Sequence, residues 1–241
     1  MTNQEREAMV MELAKHPLKA DDTFRFRCLQ CGGCCRDRED ILLSPFDLCR
    51  MASGLNKPLP EIISEFGSLY IGYSSKLPLV SLKMREDNGK CPFLGDDNRC
   101  SIHTGKPSVC ALFPLGRMGK WDMEEGKSEI SYILQPTNCG ARDETHTPRE
   151  WMGGFGLEQS EEWFFVWQEE MVRLSEHIRR VFPRLPAKLY HLLQSGITDI
   201  LYFRYHPEKP VIPQVRENVQ HAHKILEMVE KDIDHYVNEG R

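Results

Sequence analysis

The sequence lacks the features that mark secreted, membrane-spanning and nucleic-acid-binding proteins. Residues Met1–Glu7 do not have the apolar core of a secretion signal. The most apolar later stretch, Trp163–Trp167, is far too short to cross a bilayer. The net charge of −5 gives the chain no electrostatic attraction for nucleic acid. We therefore expect a cytoplasmic protein that binds neither a membrane nor nucleic acid, while an unidentified protein partner stays open.

Enzyme signatures are missing as well. The sequence contains no grouping of serine, histidine and carboxylate, no nucleophile elbow and no methyltransferase glycine motif. The glycine-rich stretch Gly153–Gly156 is not preceded by the strand that a dinucleotide-binding fold requires, so it is interpreted as part of a linker. No catalytic residue and no residue for an organic cofactor is predicted, and the sequence leaves open whether the protein is an enzyme.

Cysteine is absent from the last 102 residues, and all nine cysteines lie between Cys28 and Cys139. An odd number of cysteines argues against a closed disulfide framework. In a reducing cytoplasm, clustered cysteines bind metal more often than they form persistent disulfides. The cysteine-rich part of the chain is therefore predicted to be a metal-binding domain.

The most informative stretch holds four cysteines in eight residues, from Cys28 to Cys35. Core packing does not need two adjacent cysteines, because neighbouring side chains point in different directions. Gly32 and Gly33 allow the backbone to turn tightly and to bring its N–H groups toward the sulfurs, which stabilises thiolates. A loop of this kind is typical of metal or iron–sulfur ligation.

Four further thiols follow the loop, and together with it they make eight. This number suffices for two four-sulfur sites, or for one site with additional redox or structural thiols. Adjacent Cys34 and Cys35 cannot both comfortably ligate one small ion, so we expect them to serve different sites or faces. The later thiols stand in Cys91-Pro92-Phe93-Leu94, Cys100-Ser101-Ile102-His103, Lys106-Pro107-Ser108-Val109-Cys110 and Asn138-Cys139-Gly140.

These thiols are expected to converge in space. A zinc site or a cubane cluster needs four sulfurs, so the downstream cysteines must fold back onto the first loop. Sulfurs of one site should lie within roughly 4 Å of each other. Cys49 falls outside the motif spacing and is expected to be a small buried hydrophobe, apart from the others. The predicted metal ligands are Cys28, Cys31, Cys34, Cys35, Cys91, Cys100, Cys110 and Cys139.

The spacing of the thiols bears on the identity of the metal. A zinc knuckle combines one two-residue-spaced pair with a second such pair, and the second pair is missing here. Cys28, Cys31 and Cys34 are instead similar to the loop that grips three corners of a cubane cluster while a remote cysteine takes the fourth. We expect zinc or iron as the cofactor and favour an iron–sulfur cluster over zinc.

Several ordered motifs resemble those of the YkgJ family of cysteine-cluster proteins, over roughly residues 24–140. The resemblance implies a zinc- or iron-chelating domain of the CxxCxxCC type. One related branch, the flagellin lysine-N-methylases, carries a similar cysteine motif in larger proteins and is linked to an iron–sulfur cluster. The matching stretches are Cys28-x2-Cys31-Gly32-x-Cys34-Cys35, Ile41–Asp47, Cys91-Pro92-Phe93-Leu94, Cys100-x-Ile102-His103 and Lys106-Pro107-x2-Cys110-x2-Phe113-Pro114.

Two alternatives to a metal-chelating protein stay open. By analogy with the flagellin-modifying branch, the first is an iron–sulfur-dependent enzyme of protein modification, such as methylation from S-adenosylmethionine. The second is a thiol redox sensor that uses Cys34 and Cys35, because a vicinal disulfide is strained and labile.

The predicted fold class is α+β. Short strands and helices punctuated by proline and glycine alternate up to Leu134, and long helical periods follow Gly156. This pattern indicates a small cysteine-rich metal-binding domain of short strands and helices, followed by a mostly helical C-terminal region. The predicted organisation is an N-terminal helix in 1–20, the cysteine-cluster domain in 21–141, a linker in 142–156 and the helical region in 157–241.

Overall fold

A computed structural model describes residues 8–9, 11–38, 40–122 and 127–232. Contacts between Cα atoms divide the chain into two compact units. The described residues up to 38 and from 84 to 165 form the first unit. Those from 40 to 83 and from 166 to 232 form the second unit. Each unit is therefore built from two separate segments of the chain.

Short strands and helices of very different length alternate along the chain. The strands are β1 (Phe24–Arg27), β2 (Gly67–Ile71), β3 (Pro78–Leu82), β4 (Leu115–Asp122), β5 (Lys127–Leu134) and β6 (Ala141–His146). The α-helices are α1 (Pro45–Leu55), α2 (Leu59–Phe66), α3 (Ser108–Leu112), α4 (Pro148–Gly153), α5 (Ser160–Val181), α6 (Ala187–Tyr202) and α7 (Val211–Lys231). Short 3-10 helices cover Gly33–Cys35 and Phe182–Arg184.

A helix also lies at the start of the described chain, in residues 8–9 and 11–13. The predicted N-terminal helix extends further toward the N-terminus, and its residues 1–7 and 10 lie outside the described residues.

Two antiparallel ladders organise the first unit. β1 pairs with β6, with Phe24 opposite His146 and Arg27 opposite Ala141. β4 and β5 form a hairpin that is paired along its whole length. β1 lies in the first segment of this unit and β6 in its second segment, so their pairing joins the two segments.

Aromatic side chains hold α4 in place within the first unit. The ring of Trp151 lies 5.8 Å, between centroids, from the rings of both Phe24 and Phe26 in β1. Its Nε1 donates a hydrogen bond to the carbonyl oxygen of Ala111 in α3, at 3.0 Å. This one indole therefore ties α4 to both β1 and α3.

Residues 142–156, interpreted above as a linker, contain most of β6 and all of α4. Thr147 starts α4 with a capping box, in which its hydroxyl accepts from the Glu150 N–H and the Glu150 carboxylate accepts from the Thr147 N–H. Pro148 occupies the first helical turn, where its fixed φ suits a helix. The polar composition of this stretch thus reflects helix capping. As domain boundaries, residues 20, 141 and 156 stay predictions.

The second unit is built mainly from helices. α1 begins with a capping box, because the Ser44 hydroxyl accepts from the Asp47 N–H and the Asp47 carboxylate accepts from the Ser44 N–H. β2 and β3 form an antiparallel hairpin. The apolar core of the second unit is formed by side chains of α1, α2, β3 and α5 to α7. The side chains with the least exposure are Leu48, Met51, Ile62, Val80, Leu174, Ile178, Val181, Ile197, Ile200, Leu201, Tyr202, Val219, Ala222 and Leu226.

The α+β prediction is confirmed. The structure has 47% helix and 18% strand, and the sheets within the described residues each contain two antiparallel strands. In the ranges that the structure describes, none of the helices combines the length and the apolar character that a membrane span requires.

Candidate metal centre

The cysteine loop begins where β1 ends. Arg27 is the last residue of β1 and pairs with Ala141, the first residue of β6. Because the two strands are antiparallel, the residues just outside this pair leave the ladder at the same end. Cys28 follows Arg27 and Cys139 precedes Ala141 by two residues, so both cysteines lie at the same end of the ladder.

Cys139 is also fixed by its own neighbours. Its N–H donates to the Thr137 hydroxyl at 3.1 Å, and the Thr137 Oγ1 lies 3.0 Å from the Cys139 Sγ. Gly140 has a φ of 78°, and a Cβ there would lie 2.2 Å from Cε2 of Phe26. Only glycine fits this position without a shift of the core, which explains the Cys139-Gly140 pair in the sequence.

The end of the loop is joined to Cys91. Gly32 has a φ of 70° and leads into the 3-10 helix that carries Cys34 and Cys35. The Cys91 N–H donates to the Cys35 carbonyl oxygen at 2.9 Å. An antiparallel bridge between Arg36 and Lys90 continues this pairing by one residue on each side. Cys35 and Cys91 are thus neighbours across a backbone pairing.

Cys100 returns to the same place through a tight turn. Leu94 and Cys100 form an antiparallel bridge, and the Ser101 N–H donates to the Phe93 carbonyl oxygen at 2.8 Å. The turn at Gly95–Asn98 therefore brings Cys100 back toward Cys91. Cys110 lies in α3, whose first turn is closed by a bond from the Cys110 N–H to the Pro107 carbonyl oxygen at 3.0 Å.

The pKa of the Cys34 thiol is lowered, and its hydrogen bond with Cys35 is the main cause. The Sγ atoms of Cys34 and Cys35 lie 3.8 Å apart. A hydrogen bond from Cys35 lowers the pKa of Cys34 to about 6, and the charges of Lys106 and Arg38 act in the same direction against the effect of burial. The same hydrogen bond, together with burial, raises the pKa of Cys35.

The charge of Cys34 reaches the thiols of the later segments. Burial is the main cause that raises the pKa of Cys91, of Cys100 and of Cys110, and the negative charge of Cys34 raises each of them further. These segments are separated in the sequence, so their thiols share one electrostatic environment only because the fold brings them together.

The pKa of Cys139 responds to the first loop. Burial raises this pKa, the Thr137 hydroxyl opposes the rise, and the charge and hydrogen bond of Cys31 and the charge of Cys34 add to it. The structure therefore links Cys139 with the first loop through its side chain as well as through the β1–β6 ladder.

Lys106 contributes a positive charge at this place. Its Nζ lies 4.0 Å from the centroid of the Phe155 ring. Burial lowers the pKa of Lys106, and nearby thiolates act in the opposite direction. The thiols whose negative charge acts on Lys106 are Cys100, Cys110, Cys28 and Cys34.

The structure thus brings the cysteines of the first unit into one network of charges and backbone pairings. We call these residues the thiol cluster: Cys28, Cys31, Cys34, Cys35, Cys91, Cys100, Cys110 and Cys139. Cys49 is separate, because it lies in α1 of the second unit and is 4% exposed. Burial, with the charges of Glu208 and Asp47, raises the pKa of Cys49 to about 12.

The donor set of the thiol cluster suits zinc and iron, since thiolates are the soft ligands that both accept in tetrahedral sulfur sites. The positive charges of Lys106 and Arg38 also suit a metal site, because four thiolates around a divalent ion carry net negative charge. Within the part of the chain that the structure describes, no three histidine, cysteine, aspartate or glutamate side chains are arranged so that they could hold a metal ion. As metal ligands, the eight cysteines stay a prediction.

Comparison with known families agrees with this chemistry. Residues 27–140 match the model of the CxxCxxCC family, described as a "putative zinc- or iron-chelating domain". This segment is therefore similar to the domains of that family, and we refer to residues 27–140 as the CxxCxxCC domain. The family description supports a metal-binding role with zinc or iron as the metal. No match was found to a curated protein or to a solved structure.

The CxxCxxCC domain contains the whole thiol cluster and ends one residue after Cys139. It also contains residues 40–83, which belong to the second unit. The matched segment is therefore not identical with either unit.

Sequence reasoning missed the cations of the CxxCxxCC domain. In the sequence, Lys106 is part of a matched motif and stands four residues before Cys110, one helical turn away. Arg38 follows Cys35 by three residues, and its charge lowers the pKa of Cys34. A basic residue three or four positions from a clustered cysteine is the signal that could have identified both.

Proposed function

We propose that the CxxCxxCC domain holds an iron–sulfur cluster, in a reducing compartment such as the cytoplasm. The observation that carries the proposal is that backbone pairings return distant cysteines toward the first loop. The Cys91 N–H bonds to the Cys35 carbonyl oxygen at 2.9 Å, and Cys139 lies at the loop end of the β1–β6 ladder. Buried thiols that raise one another's pKa are unfavourable as free thiolates. A bound cation relieves this repulsion, so the arrangement suits metal ligation better than structural packing.

The preference for iron–sulfur over zinc rests on the first loop and Cys139. Three thiols at two-residue spacing are suited to three corners of a cubane cluster, and a distant cysteine supplies the fourth. Cys139 is a distant cysteine that the β1–β6 ladder brings to this loop and whose thiol interacts with Cys31. When bound, such a cluster would supply electron transfer or a Lewis-acidic iron.

The proposal is tested by purification without oxygen, followed by analysis of iron, zinc and acid-labile sulfide and by visible absorption spectroscopy. We expect iron and sulfide in comparable amounts, with the broad sulfur-to-iron absorption of a cluster. Cys34→Ser should lose most of the metal. Cys49→Ser is the matched control, because its thiol lies in the second unit, and it should keep the metal content of the unmodified protein.

The possible results distinguish metal chelation itself from the preference for an iron–sulfur cluster over zinc. Zinc without iron or sulfide would refute the iron–sulfur preference and retain metal chelation. A protein without metal, even after anaerobic reconstitution with iron, sulfide or zinc, would refute chelation itself. Equal metal loss in Cys34→Ser and Cys49→Ser would show that the thiol cluster is not the binding site.

A thiol redox sensor is a second candidate, favoured by the 3.8 Å distance between the Sγ atoms of Cys34 and Cys35. Oxidation would form one S–S bond, release two protons and pass two electrons to a peroxide or to another disulfide. Mass spectrometry of protein alkylated inside intact cells, before and after peroxide treatment, tests this function. If the pair stays reduced in both samples, the sensor function is excluded.

The protein-modifying enzyme remains a weaker candidate. Titration calorimetry with S-adenosylmethionine on metal-loaded protein tests it directly, and the absence of binding heat at high concentration would exclude S-adenosylmethionine as a cosubstrate. A protein partner likewise stays a prediction.

A further inference from the structure

β2 is an outer strand in the second unit. Its register with β3 is continuous over the whole length of β2. On the opposite side of β3, the Leu43 N–H donates to the Val80 carbonyl oxygen at 2.8 Å. β3 therefore has a neighbour on each side, whereas among the described residues β2 has β3 as its only strand partner.

The alternation of hydrogen bonds decides which backbone groups of β2 face outward. Just after β2, the Gly72 N–H donates to the Leu77 carbonyl oxygen at 2.9 Å. In an antiparallel ladder every second residue bonds to the neighbouring strand, so Tyr70 bonds to β3. Leu69 and Ile71 alternate with Tyr70 and therefore direct their N–H and C=O groups to the outer edge.

The outer edge of β2 has no protection against pairing with another strand. Proteins commonly protect such edges with lysine, proline or a bulge. β2 contains none of these, and no charged side chain occurs in Phe66–Ser75. Leu69, Tyr70 and Ile71 are 44%, 41% and 37% exposed. The strand β6, which is also exposed, differs in having three charged side chains among its six residues.

The edge is also fixed in place from behind. The Ser175 hydroxyl of α5 donates to the Ser75 carbonyl oxygen in the turn between β2 and β3, at 2.7 Å. The Tyr202 hydroxyl of α6 donates to the Pro78 carbonyl oxygen at the start of β3, at 3.1 Å. A strand that is already held in its extended shape loses little conformational entropy when it pairs with another strand.

We propose that β2 pairs with β2 of a second copy of this chain, antiparallel and about a two-fold axis at Leu69. This inference is independent of the metal-binding function. Leu69 is the middle residue of β2, so its N–H would donate to the Leu69 carbonyl oxygen of the second copy, and the reverse. Ile71 would lie opposite Gly67 of the second copy, where no side chain obstructs it. The Gly67 N–H is already bonded to the Ile63 carbonyl oxygen, which leaves the Gly67 carbonyl oxygen for the Ile71 N–H.

Charge favours a second copy over a different protein at this edge. A two-fold axis lays the end of one β2 beside the start of the other. Exposed Lys76 follows the end of β2, and exposed Glu61 and Glu65 lie in α2, directly before its start. Glu65 is also paired with Lys57, at 2.6 Å. Opposite charges therefore approach each other at both ends of the paired strands, and the strands themselves carry no charge that would repel.

The test measures the mass of the full chain in solution, by sedimentation equilibrium under reducing conditions over a range of concentrations. We expect a reversible equilibrium between one chain and two. Leu69→Lys places like charges opposite each other at the two-fold axis and should abolish the dimer. Leu192 is an exposed leucine on α6, so Leu192→Lys is the matched control and should dimerise like the unmodified protein. If circular dichroism shows that Leu69→Lys is unfolded, Ile71→Lys replaces it.

Amide hydrogen exchange followed by nuclear magnetic resonance tests the pairing itself. The amides of Leu69 and Ile71 should exchange more slowly as the dimer forms, while that of Tyr70, already bonded to β3, should change little. A chain that stays monomeric at every concentration would overturn the proposal and leave the edge to a strand of a different protein. A dimer that survives Leu69→Lys, or that leaves the exchange of Leu69 and Ile71 unchanged, would overturn it as well.

Discussion

The two units of this protein are stabilised by different kinds of interaction. The second unit contains most of α5 together with α6 and α7, helices of 22, 16 and 21 residues that bury isoleucine, leucine and valine side chains along one face. The helices α3 and α4, which lie wholly in the first unit, have only 5 and 6 residues. Aromatic side chains of the first unit pack around Trp151, and its eight thiols lie in loops, in a 3-10 helix and in α3.

This difference has a physical explanation. Helices so short are marginal in water and need tertiary partners to persist. Between residues 84 and 107 the first unit has isolated bridges and turns, and Cys91 is among its few buried side chains there. Metal binding at the thiol cluster would hold these loops together, whereas the second unit needs no metal. The comparison therefore predicts that the two units respond differently to the same treatment.

The largest expected effect is that of metal removal. Chelation under reducing conditions should unfold the loops that carry Cys91 and Cys100 and leave α6 and α7 folded, because structural zinc sites contribute about 10–16 kcal/mol of apparent folding free energy. Hydrogen exchange with mass spectrometry checks this, since loop peptides should lose protection and peptides from 187–231 should keep it. Unchanged protection of the loops after verified metal removal would show that the metal has no structural role.

Truncation of a core side chain in the second unit should destabilise that unit and leave metal binding by the thiol cluster unchanged. Ile197 in α6 is 1% exposed, and Ile197→Ala should destabilise the second unit by about 2–5 kcal/mol, through lost burial and a residual cavity. Leu192 on the same helix is 69% exposed, so Leu192→Ala is the matched control and should change stability by less than about 0.5 kcal/mol. Urea unfolding followed by circular dichroism measures both. Metal content should stay unchanged, and its loss in Ile197→Ala would mean that the units are not independent.

A smaller effect is expected from the charge of Lys106. Lys106→Met keeps most of the length of the side chain and removes its charge, and we expect metal affinity to fall by about 10–100-fold, as is typical for a partner of the ligands. Lys106→Arg keeps the charge and should retain most of the affinity. Competition with a coloured chelator gives both dissociation constants. Equal losses in the two variants would assign Lys106 a packing role against Phe155 and not an electrostatic one.

The smallest expected effect is a pH dependence confined to the second unit. The Nδ1 atoms of His177 and His223 lie 2.8 Å apart, and burial lowers the pKa of both, with a further contribution from Arg180 for His177 and from His177 for His223. Folding therefore disfavours protonation, and the unfolded chain takes up these protons near its ordinary pKa of 6.5. The contribution to stability is complete above about pH 6.5 and is lost as the pH falls further.

Glu230 and Glu227 oppose this trend at His177, which keeps the effect modest. Hydrogen exchange of peptides from α7, measured from pH 8 to pH 5 and corrected for intrinsic rates, gives the local stability. His223→Gln should show a flatter profile than the unmodified protein, and identical profiles would show that the histidine pair does not contribute.

Much of the fold is predictable from short stretches of the sequence. Ser44-Pro45-Phe46-Asp47 predicts the start of α1, and the structure has the complete capping box there. The helical periods after Gly156 correspond to α5, α6 and α7. β6 falls mostly in the stretch interpreted as a linker, because its conformation depends on its pairing with β1. The pattern of β6, Ala141–His146, is mostly polar and exposed, so alternation could not reveal it.

The site was predictable in composition but not in arrangement. Clustering of cysteines and their spacing identify the eight thiols, since both are visible in the sequence. The return of the later cysteines toward the first loop depends on the β1–β6 register and on the Arg36–Lys90 bridge, which join residues that are distant in the sequence. Pairings of this kind are decided by tertiary structure, and one sequence alone does not contain them.

The interleaving of the two units has a consequence for biosynthesis. Residues 40–83 leave the ribosome early, yet their partners in the second unit, from 166 onward, are made last. The first unit is complete once residue 165 has emerged, so its thiols can be loaded while the remaining helices are still being made. At about 5–20 residues per second, residues 166–241 take roughly 4–15 s to synthesise. During that interval the apolar faces of α1 and α2 are not yet covered by the later helices of the second unit.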